Sequence, residues 1–295
     1  MNKKCELKKN VNLLDYNTYR VEARCHYMAC PATLKDLENL LTYVINHQIK
    51  YFVLGNGSNV ILDGYFDGLV INMKNLDKVI KKSPTDIIAY SGIMLPKLVN
   101  FCVKNNMAGL EWASGIPGTL GGAIYGNAGA YNEAIYDYLE EIIVLHNGKL
   151  ETLKKSKLNY GYRTSFFQGK RQYIIIAAHL KLKPGDKETS IKTMNDRLTR
   201  RLKTQPLSYP SAGSVFRNPS KDLPAGKLIE DANLKGYKEG GATVSTKHAN
   251  FIVNENKATS KDIINLISHI KKIIKEKDNI DLILEQEIVK WDSYE

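Results

Sequence analysis

The chain has 295 residues, of which 43% are hydrophobic and 25% are charged, and these proportions are typical of a globular protein with enough sequence for two domain cores. No apolar stretch is long enough to span a bilayer, and the lysine-rich residues 1–10 have no apolar run behind them, so we expect no membrane insertion and no signal peptide. The formal net charge of +11 comes from scattered lysines without interleaved aromatic residues, which favours solvated faces over a nucleic-acid groove.

The cysteines form no Cys-x-x-Cys pair, and no cluster of histidines accompanies them. We therefore expect free thiols in a reducing cytoplasm and no metal site. The cysteines concerned are Cys5, Cys25, Cys30 and Cys102.

In chain order, the first predicted helix begins after the N-cap Thr33, where leucines recur at helical spacing. Two short apolar strands, residues 51–54 and 60–62, flank a glycine-rich loop. A strand at residues 87–90 then precedes a helix at about residues 95–105.

A hairpin is predicted next, because Asn147-Gly148 separates strands at residues 141–146 and 149–153. A strand at residues 173–182 ends at Lys183-Pro184-Gly185-Asp186, which indicates a boundary. A polar helix, an amphipathic helix and a final strand complete a mixed α+β pattern. These three elements are predicted at about 189–203, 260–277 and 281–290.

The first glycine-rich segment runs from Gly55 to Asn59. A dinucleotide-binding fingerprint of the Rossmann type places its glycines between a strand and a helix, whereas these glycines join two predicted strands. The loop could still direct successive N–H groups at an anion, although a plain strand connection is the simpler interpretation.

A second segment, residues 115–131, contains six glycines and almost no charge. It has too few side chains to build a core, and we expect its backbone to lie against a large ligand. Arg163 follows in a tyrosine-rich turn. It is either a surface cation stacked on aromatic rings or a guanidinium directed at a carboxylate or a developing negative charge.

A turn-rich segment bounded by prolines places small residues around the hydroxyl of Ser214, with Arg217 and Asn218 close behind. A hydroxyl held in this way could donate a proton to a bound substrate, and the alternative is an ordinary loop. Near the end of the chain, Glu285 and Glu287 fall on one face of the predicted strand, and periodicity does not choose between them.

In this order, these segments resemble the UDP-N-acetylenolpyruvoylglucosamine reductases of peptidoglycan synthesis. Each motif alone is weak, but the ordered set is highly specific and extends from about Asn17 to Trp291. The short stretch between Gly185 and Ser214 resembles the shorter branch of the family. The matching pieces are Leu54-Gly-Asn-Gly-Ser-Asn59, Gly115-Ile-Pro-Gly-Thr-Leu-Gly-Gly122, Asn127-Ala-Gly-Ala-Tyr131, Tyr160-Gly-Tyr-Arg163, Gln205-Pro206, Pro210-Ser-Ala-Gly-Ser-Val-Phe216, Ala225-Gly-Lys-Leu-Ile-Glu230, Ser245-Thr-Lys-His-Ala249 and Leu284-Glu-Gln-Glu-Ile288.

The resemblance implies an α+β fold, with a FAD-binding half of the vanillyl-alcohol-oxidase (PCMH) type and a C-terminal α+β substrate-binding domain. The FAD-binding domain would cover residues 14–186, in two α+β subdomains at about 14–72 and 73–186, and the substrate-binding domain would cover residues 196–295. FAD would be bound non-covalently. The implied FAD-binding residues are Gly55, Asn56, Gly57, Ser58, Asn59, Ile116, Pro117, Gly118, Gly121, Gly122, Asn127, Gly129 and Ala130.

The implied activity is the NADPH-driven reduction of UDP-N-acetyl-3-O-(1-carboxyvinyl)-glucosamine to UDP-N-acetylmuramate, an oxidoreductase step of peptidoglycan precursor synthesis that serves cell wall biogenesis, cell shape and cell division. NADPH would reduce the flavin, and the reduced flavin would return a hydride to the methylene carbon of the substrate. Arg163 and Glu287 would polarise the enolpyruvyl group, and Ser214 would donate the proton that completes the lactyl group. The candidate substrate contacts are Lys203, Arg217 and Asn218, followed by Lys247 and His248.

Two positions depart from the family pattern. Glu22-Ala23 stands where many members have a glycine pair, and Asn132 stands where glycine is common. Both changes bear on the fit of the FAD-binding half. We expect a cytoplasmic enzyme whose partners are NADPH and the UDP-sugar substrate, and we favour a monomer.

Three alternatives compete with this prediction. Another oxidoreductase on the same flavin fold would match the first half of the chain, but the positions of Ser214 and Glu287 in the second half argue against it. A nucleic-acid-binding protein is favoured only by the net charge. A flavin-binding but inactive relative is disfavoured because Arg163, Ser214 and Glu287 are all present.

Overall fold

A computed structural model describes residues 5–291 of the protein. Within this range, no helix is both long and apolar enough to cross a membrane, and no group of three or more His, Cys, Asp or Glu side chains could hold a metal ion. The α-helices are α1 (Leu34–Asn46), α2 (Leu95–Lys104), α3 (Leu120–Gly126), α4 (Lys187–Thr204), α5 (Ala225–Asp231) and α6 (Ser260–Asp278). The strands are β1 (Lys8–Asn12), β2 (Arg24–Ala29), β3 (Tyr51–Leu54), β4 (Val60–Leu62), β5 (Tyr65–Asn72), β6 (Val79–Lys81), β7 (Asp86–Tyr90), β8 (Met107–Ala108), β9 (Gly129–Ala130), β10 (Glu133–Ala134), β11 (Leu139–His146), β12 (Lys149–Lys154), β13 (Tyr160–Gly161), β14 (Thr164–Ser165), β15 (Tyr173–Lys181), β16 (Lys183–Pro184), β17 (Lys238–Glu239), β18 (Ala242–Val244), β19 (Ile252–Asn254) and β20 (Glu287–Val289).

The described residues divide into two compact units. The first contains residues 5–9, 27–56 and 68–199, and the second contains residues 10–26, 57–67 and 200–291. The domain bounds expected from the sequence, 14–186 and 196–295, stay a prediction, and their last four residues lie outside the described part of the chain.

The first unit is built on an antiparallel sheet of order β12-β11-β15-β7-β6. Its β11–β12 hairpin turns at Asn147 and Gly148, and both have positive φ (48° and 76°), as a type I′ turn requires. This confirms the predicted hairpin. A large apolar cluster on this sheet includes Trp112, Leu98 of α2 and Ile124 of α3.

A second sheet lies partly in the same unit, where β3 pairs with β5 in parallel and Tyr51 is opposite Leu69. Helix α1 buries Leu37, Leu41 and Val44 against an apolar cluster that includes Ile71 of β5. The helix begins as predicted: the Thr33 hydroxyl accepts a bond from the Asp36 N–H (3.1 Å), and the Asp36 carboxylate accepts one from the Thr33 N–H (3.0 Å).

The second glycine-rich segment contains a helix, α3, that the sequence pattern did not predict. Leu120, Ala123 and Ile124 are at most 3% exposed and belong to the core of the first unit. Helical spacing places these three side chains on one face. The expectation that this segment has too few side chains to build a core was therefore wrong.

The second unit contains the sheet β17-β18-β19, the parallel pair β4–β20, and the helices α5 and α6. Helix α6 has the predicted apolar face, which packs against α5 residues such as Ile229 and against Val244 of β18. Thr259 caps the helix by accepting a hydrogen bond from the Asp262 N–H (3.1 Å). The buried apolar residues of α6 are Ile263, Leu266, Ile267, Ile270 and Ile274.

The last strand is shorter than the predicted range of 281–290. It consists of Glu287–Val289 only, and Glu285 lies in a bend before it. The backbone changes partners at this point, because the Glu285 N–H donates to the Val215 carbonyl (2.9 Å) and the Glu287 N–H donates to the Asn59 carbonyl (3.0 Å). The prediction that both glutamates belong to one strand was wrong.

Candidate active site

The loop after β3 lies against the second glycine-rich segment, within the first unit. The Asn56 side-chain amide donates to the Pro117 carbonyl (2.6 Å), and the Lys74 ammonium donates to the Asn56 side-chain oxygen (3.1 Å). A Cβ atom added to Gly55 would lie 2.5 Å from the Thr119 hydroxyl oxygen. The structure thus brings together two of the segments predicted to bind FAD.

Several glycines of these segments are needed by the fold itself. A Cβ added to Gly121 would lie 2.9 Å from the Ser91 Cβ, and one added to Gly129 would lie 2.4 Å from the Glu133 carbonyl oxygen. By contrast, a Cβ at Gly122 would make an ordinary contact of 3.5 Å with the Thr119 hydroxyl. Close approach of the chain to itself therefore accounts for glycine at 121 and 129 before any ligand is considered.

Arg163 is held by the backbone of the second glycine-rich segment. Its guanidinium donates to the Gly129 carbonyl (2.8 Å) and to the Asn127 carbonyl (3.4 Å). The residue is half-buried, and its guanidinium carbon lies 5.2 Å from the centroid of the Tyr162 ring. The ring contact fits the first interpretation left open by the sequence, and the two carbonyls fix the orientation of the guanidinium. Its direction towards a carboxylate or a developing negative charge stays a prediction.

The Gly129 carbonyl belongs to a tight hairpin formed by β9 and β10. Its two turn residues, Tyr131 and Asn132, have positive φ values of 57° and 63°. Asparagine adopts this conformation more readily than most residues, so Asn132 is compatible with this turn despite its departure from the expected pattern. Arg197 supports the turn, with its guanidinium carbon 4.8 Å from the Tyr131 ring centroid and an ion pair of 3.0 Å to Glu133.

Ser214 lies in a half-buried loop of the second unit. Asn250 holds the residues that follow the serine: its backbone carbonyl accepts from the Val215 N–H (2.9 Å), and its side chain both accepts from the Phe216 N–H (3.0 Å) and donates to the Phe216 carbonyl (2.8 Å). Asn250 was not among the residues predicted from the sequence, although an amide within the apolar run Ala249–Val253 was a signal for a buried polar partner.

Glu287 lies at the start of β20, directly opposite Val60 of β4. The backbone carbonyl of Asn59, which precedes β4, accepts a hydrogen bond from the Glu287 N–H. The side-chain amide of Asn59 donates to the Glu285 carbonyl (3.0 Å). The Glu285 N–H in turn donates to the Val215 carbonyl. Asn59, Glu287 and the residue after Ser214 are thus joined by hydrogen bonds within the second unit.

The residues predicted to contact the substrate differ in the hydrogen bonds that their side chains already make within the protein. The Arg217 Nε is buried and has no hydrogen-bond partner within residues 5–291. The Asn218 side-chain oxygen accepts from the Ala225 N–H (3.1 Å) at the start of α5, and the Lys247 ammonium donates to the Leu202 carbonyl (2.5 Å).

His248 and Lys203 complete this set. Burial lowers the pKa of His248 below its ordinary value of 6.5, and its Nδ1 accepts from the Asn250 N–H (3.2 Å). Lys203 lies near the end of α4 and is exposed. The structure therefore places Gly55, Asn56, residues 116–130 and Arg163 in the first unit, and the other predicted site residues in the second.

Two parts of the chain match known domain families. Residues 26–154 match an FAD-binding domain, and residues 205–289 match the C-terminal domain of UDP-N-acetylenolpyruvoylglucosamine reductase. The fold and these two matches define a flavin-dependent oxidoreductase with mixed α and β structure, which confirms the predicted fold class.

Relatives match over almost the whole chain. It is 40% identical over 286 residues to the UDP-N-acetylenolpyruvoylglucosamine reductase of Clostridium novyi, covering 96% of this chain and 92% of the relative. It is 41% identical over 276 residues to that of Caldanaerobacter subterraneus, covering 93% and 90%. A crystal structure of UDP-N-acetylenolpyruvylglucosamine reductase from Thermus caldophilus matches with a TM-score of 0.82 and 31% identity, covering 97% of this chain and 100% of the other. The chain belongs to the UDP-N-acetylenolpyruvoylglucosamine reductase family, as the ordered motifs predicted.

Proposed function

We propose that the protein reduces UDP-N-acetyl-3-O-(1-carboxyvinyl)-glucosamine to UDP-N-acetylmuramate, with FAD as its cofactor and NADPH as the hydride donor. Family membership over 96% of the chain supports this activity. The observation that carries it is the hydrogen-bonded arrangement in the second unit. There the bend at Glu285 bonds to the loop of Ser214, and Glu287 follows two residues later.

The residues of the first unit fit a flavin. The buried Ser114 hydroxyl and the Asn127 side-chain oxygen have no hydrogen-bond partner in the described part of the chain, and both lie in or beside the uncharged glycine-rich segment. A Cβ at Gly126 would meet nothing within 4 Å, which leaves the backbone there open to a ligand. We propose that Gly55, Asn56 and residues 116–130 hold FAD, with Gly57, Ser58 and Asn59 as further contacts. The chemistry that FAD supplies when bound is hydride transfer from NADPH to the substrate.

Arg163 is proposed to stabilise the negative charge that develops next to the substrate carboxylate when the methylene carbon receives a hydride. A guanidinium that is already oriented gives this stabilisation without reorganisation during the reaction. The two carbonyl contacts, to Asn127 and Gly129, supply that orientation.

Ser214 is proposed to donate the proton that completes the lactyl group, because a positioned hydroxyl replaces a proton from bulk water. Glu287 is proposed to polarise the enolpyruvyl group together with Arg163. A bare carboxylate would repel the developing charge, so Glu287 would act while protonated or while sharing a proton.

Arg217 is the foremost of the proposed contacts to the substrate diphosphate or carboxylate, because its buried Nε has no partner among residues 5–291. Asn218, Lys203, Lys247 and His248 are proposed as further contacts. We also propose that the enzyme is cytoplasmic, is monomeric and has no affinity for nucleic acid. A mass measurement in solution would test the monomer, and a salt-dependent gel shift would test nucleic-acid binding.

The proposed function is tested by following the flavin absorbance of the purified protein without oxygen. NADPH is added first, and the enolpyruvyl nucleotide is added second. We expect the visible flavin band to bleach and then to recover. A band that stays bleached would point to a different acceptor, and a protein that binds no flavin even with added FAD would overturn the proposal.

A further inference from the structure

A buried amide lies between the two glutamates near the end of the chain. Gln286 is 3% exposed, whereas the acidic residues on either side of it are half-buried. Its side-chain nitrogen donates to the carbonyl oxygens of Ala212 (3.1 Å) and Gly213 (3.2 Å). The side-chain amide of Gln286 is thus bonded to the two residues that immediately precede Ser214.

Tyr19 satisfies the other end of this amide. Its hydroxyl donates to the Gln286 side-chain oxygen (2.9 Å), and the tyrosine is fully buried. Burial also raises the pKa of Tyr19 above its ordinary value of 10.0, so the hydroxyl stays a donor throughout the neutral range. Asn254 holds the tyrosine in place by donating its side-chain amide to the Tyr19 carbonyl (2.9 Å).

These contacts complete the support of the serine loop. Asn250 and the Glu285 N–H hold the residues that follow Ser214, whereas only Gln286 bonds the two carbonyls that precede it among the hydrogen bonds described for residues 5–291. Gly213 has a positive φ of 75°, a conformation that favours glycine, and its carbonyl accepts from the amide. The position of the serine Cα therefore depends on peptide units fixed on both sides.

We propose that Gln286, oriented by Tyr19, is a positioning residue for proton donation by Ser214. The inference rests on the proposed function, because it takes Ser214 as the proton donor. A donor must lie within hydrogen-bond reach of the atom that receives the proton. A displacement of about 1 Å in an active site can lower a rate by about 10²-fold, so freeing the two carbonyls slows the proton step specifically.

The competing interpretation is that Gln286 is an ordinary buried amide that serves only stability. In that case, substitution of Gln286 would lower the free energy of unfolding and would leave the ratio of the two half-reaction rates unchanged. Reduction of the flavin by NADPH requires no proton from Ser214, whereas product formation does. The ratio of the two rates therefore distinguishes positioning from general stability.

The test uses Gln286→Met, which removes both polar ends of the side chain at similar length, and Tyr19→Phe, which removes one hydroxyl. Each variant is loaded with FAD, and both half-reactions are measured by stopped-flow absorbance. We expect product formation to slow by about 10²-fold in Gln286→Met. We expect a loss of up to about 10-fold in Tyr19→Phe, the size of one hydrogen bond, and flavin reduction within twofold of the wild type in both.

A double-mutant cycle with Ser214→Ala supplies the decisive readout. If Gln286 acts through the serine, Tyr19→Phe no longer slows product formation once the serine hydroxyl is absent. The matched control is Thr243→Val, which removes the buried Thr243 hydroxyl that donates to Glu255 (2.6 Å) in the same unit. This control is expected to lower stability and to leave the ratio of the two rates unchanged.

Equal slowing of both half-reactions, or an effect of Tyr19→Phe that persists undiminished in the Ser214→Ala background, would overturn the inference. Tyr19→Phe also keeps the test valid if Gln286→Met does not fold. If Ser214→Ala itself leaves product formation unchanged, the role of the serine fails and the inference fails with it. If Ser214→Ala slows product formation and the Tyr19 and Gln286 variants do not, only the inference fails.

Discussion

Arg163 and Ser214, two of the proposed catalytic residues, are held in place by different kinds of group. Arg163 is bonded to main-chain carbonyls, one of which lies in a hairpin whose turn residues both have positive φ. Ser214 lies in a loop that is held by the side chains of Asn250 and Gln286. Backbone conformation therefore controls the orientation of the arginine, whereas individual buried amides control the position of the serine.

This difference determines which substitutions each region tolerates. Every residue has a carbonyl, so the arginine keeps its acceptors as long as the hairpin keeps its shape. A buried amide has no substitute of equal geometry, and its loss leaves backbone carbonyls without a donor. We therefore expect the hairpin to be sensitive to added Cβ atoms and the serine loop to be sensitive to the loss of single polar groups.

The largest effect is expected from Ser214→Ala, which removes the proton donor and keeps the hydrogen bonds around it. Product formation should fall by about 10²–10⁴-fold, the range for losing one positioned acid or base, while flavin reduction by NADPH stays intact. The measurement is the rate of each half-reaction in single turnover. An unchanged rate of product formation would exclude Ser214 as the proton donor.

Arg163→Ala should slow product formation by about 10²–10³-fold, because one preorganised donor to the developing charge is lost. Arg163→Lys keeps the charge but lacks the planar fork that bonds both carbonyls, so it should recover little of that loss. The control is Arg171→Lys at an exposed arginine of the same unit, which should behave as the wild type. A loss confined to NADPH affinity would contradict the role proposed for Arg163.

The effect of added Cβ atoms can also be measured in α3, the helix that ends just before the β9–β10 hairpin, at two neighbouring glycines. Gly121→Ala places a Cβ 2.9 Å from the Ser91 Cβ, and we expect the free energy of unfolding to fall by about 1–3 kcal/mol, with weaker FAD retention. Gly122→Ala makes only a 3.5 Å contact, and it should be neutral or stabilising by up to about 1 kcal/mol. Chemical denaturation of both variants gives the comparison. Equal stability of the two would mean that the close contact at Gly121 relaxes at no cost.

These glycines also show how far the sequence predicts the site. Local patterns gave the strands around Gly55, the hairpin at Asn147 and the cap at Thr33, because turn and capping residues act within a few positions. The order of the motifs identified the family. The sequence did not show that Gly121 packs on Ser91. A glycine needed for the approach of a ligand and a glycine needed for close packing of the chain have the same sequence pattern.

The hydrogen bonds that hold the Ser214 loop could not be predicted from local sequence patterns. The Gln286 amide and the carbonyls it bonds are more than 70 residues apart in the chain, and only the tertiary fold brings them together. The two glutamates that flank Gln286 also predicted a charged face of a single strand. The backbone changes partners between these glutamates, so the strand begins only at Glu287.

The smallest effect is the pH dependence of stability, and it concerns the loop that contains Ser214. The Nδ1 of His248 accepts the Asn250 N–H, so protonation of the imidazole removes an acceptor from the residue that holds Phe216. Burial lowers the pKa of His248 in the folded protein, whereas the unfolded chain binds its proton at about pH 6.5. Below that pH the unfolded state binds more protons than the folded state, so the free energy of unfolding decreases as the pH falls through 6.5.

His248→Asn separates this titration from the hydrogen bond, because an asparagine oxygen can accept the N–H two residues later and does not titrate near neutral pH. We expect the variant to retain the wild-type stability at neutral pH and to lose less of it as the pH falls below 6.5, measured by denaturant unfolding at each pH. Asp86 does not interfere, because hydrogen bonds from Ser83 and His179 hold its pKa below 3.8 and its contribution is lost only in stronger acid. Identical pH profiles for the variant and the wild type would show that His248 does not titrate on unfolding, and the serine loop would then depend on Asn250 and Gln286 without a contribution from the imidazole.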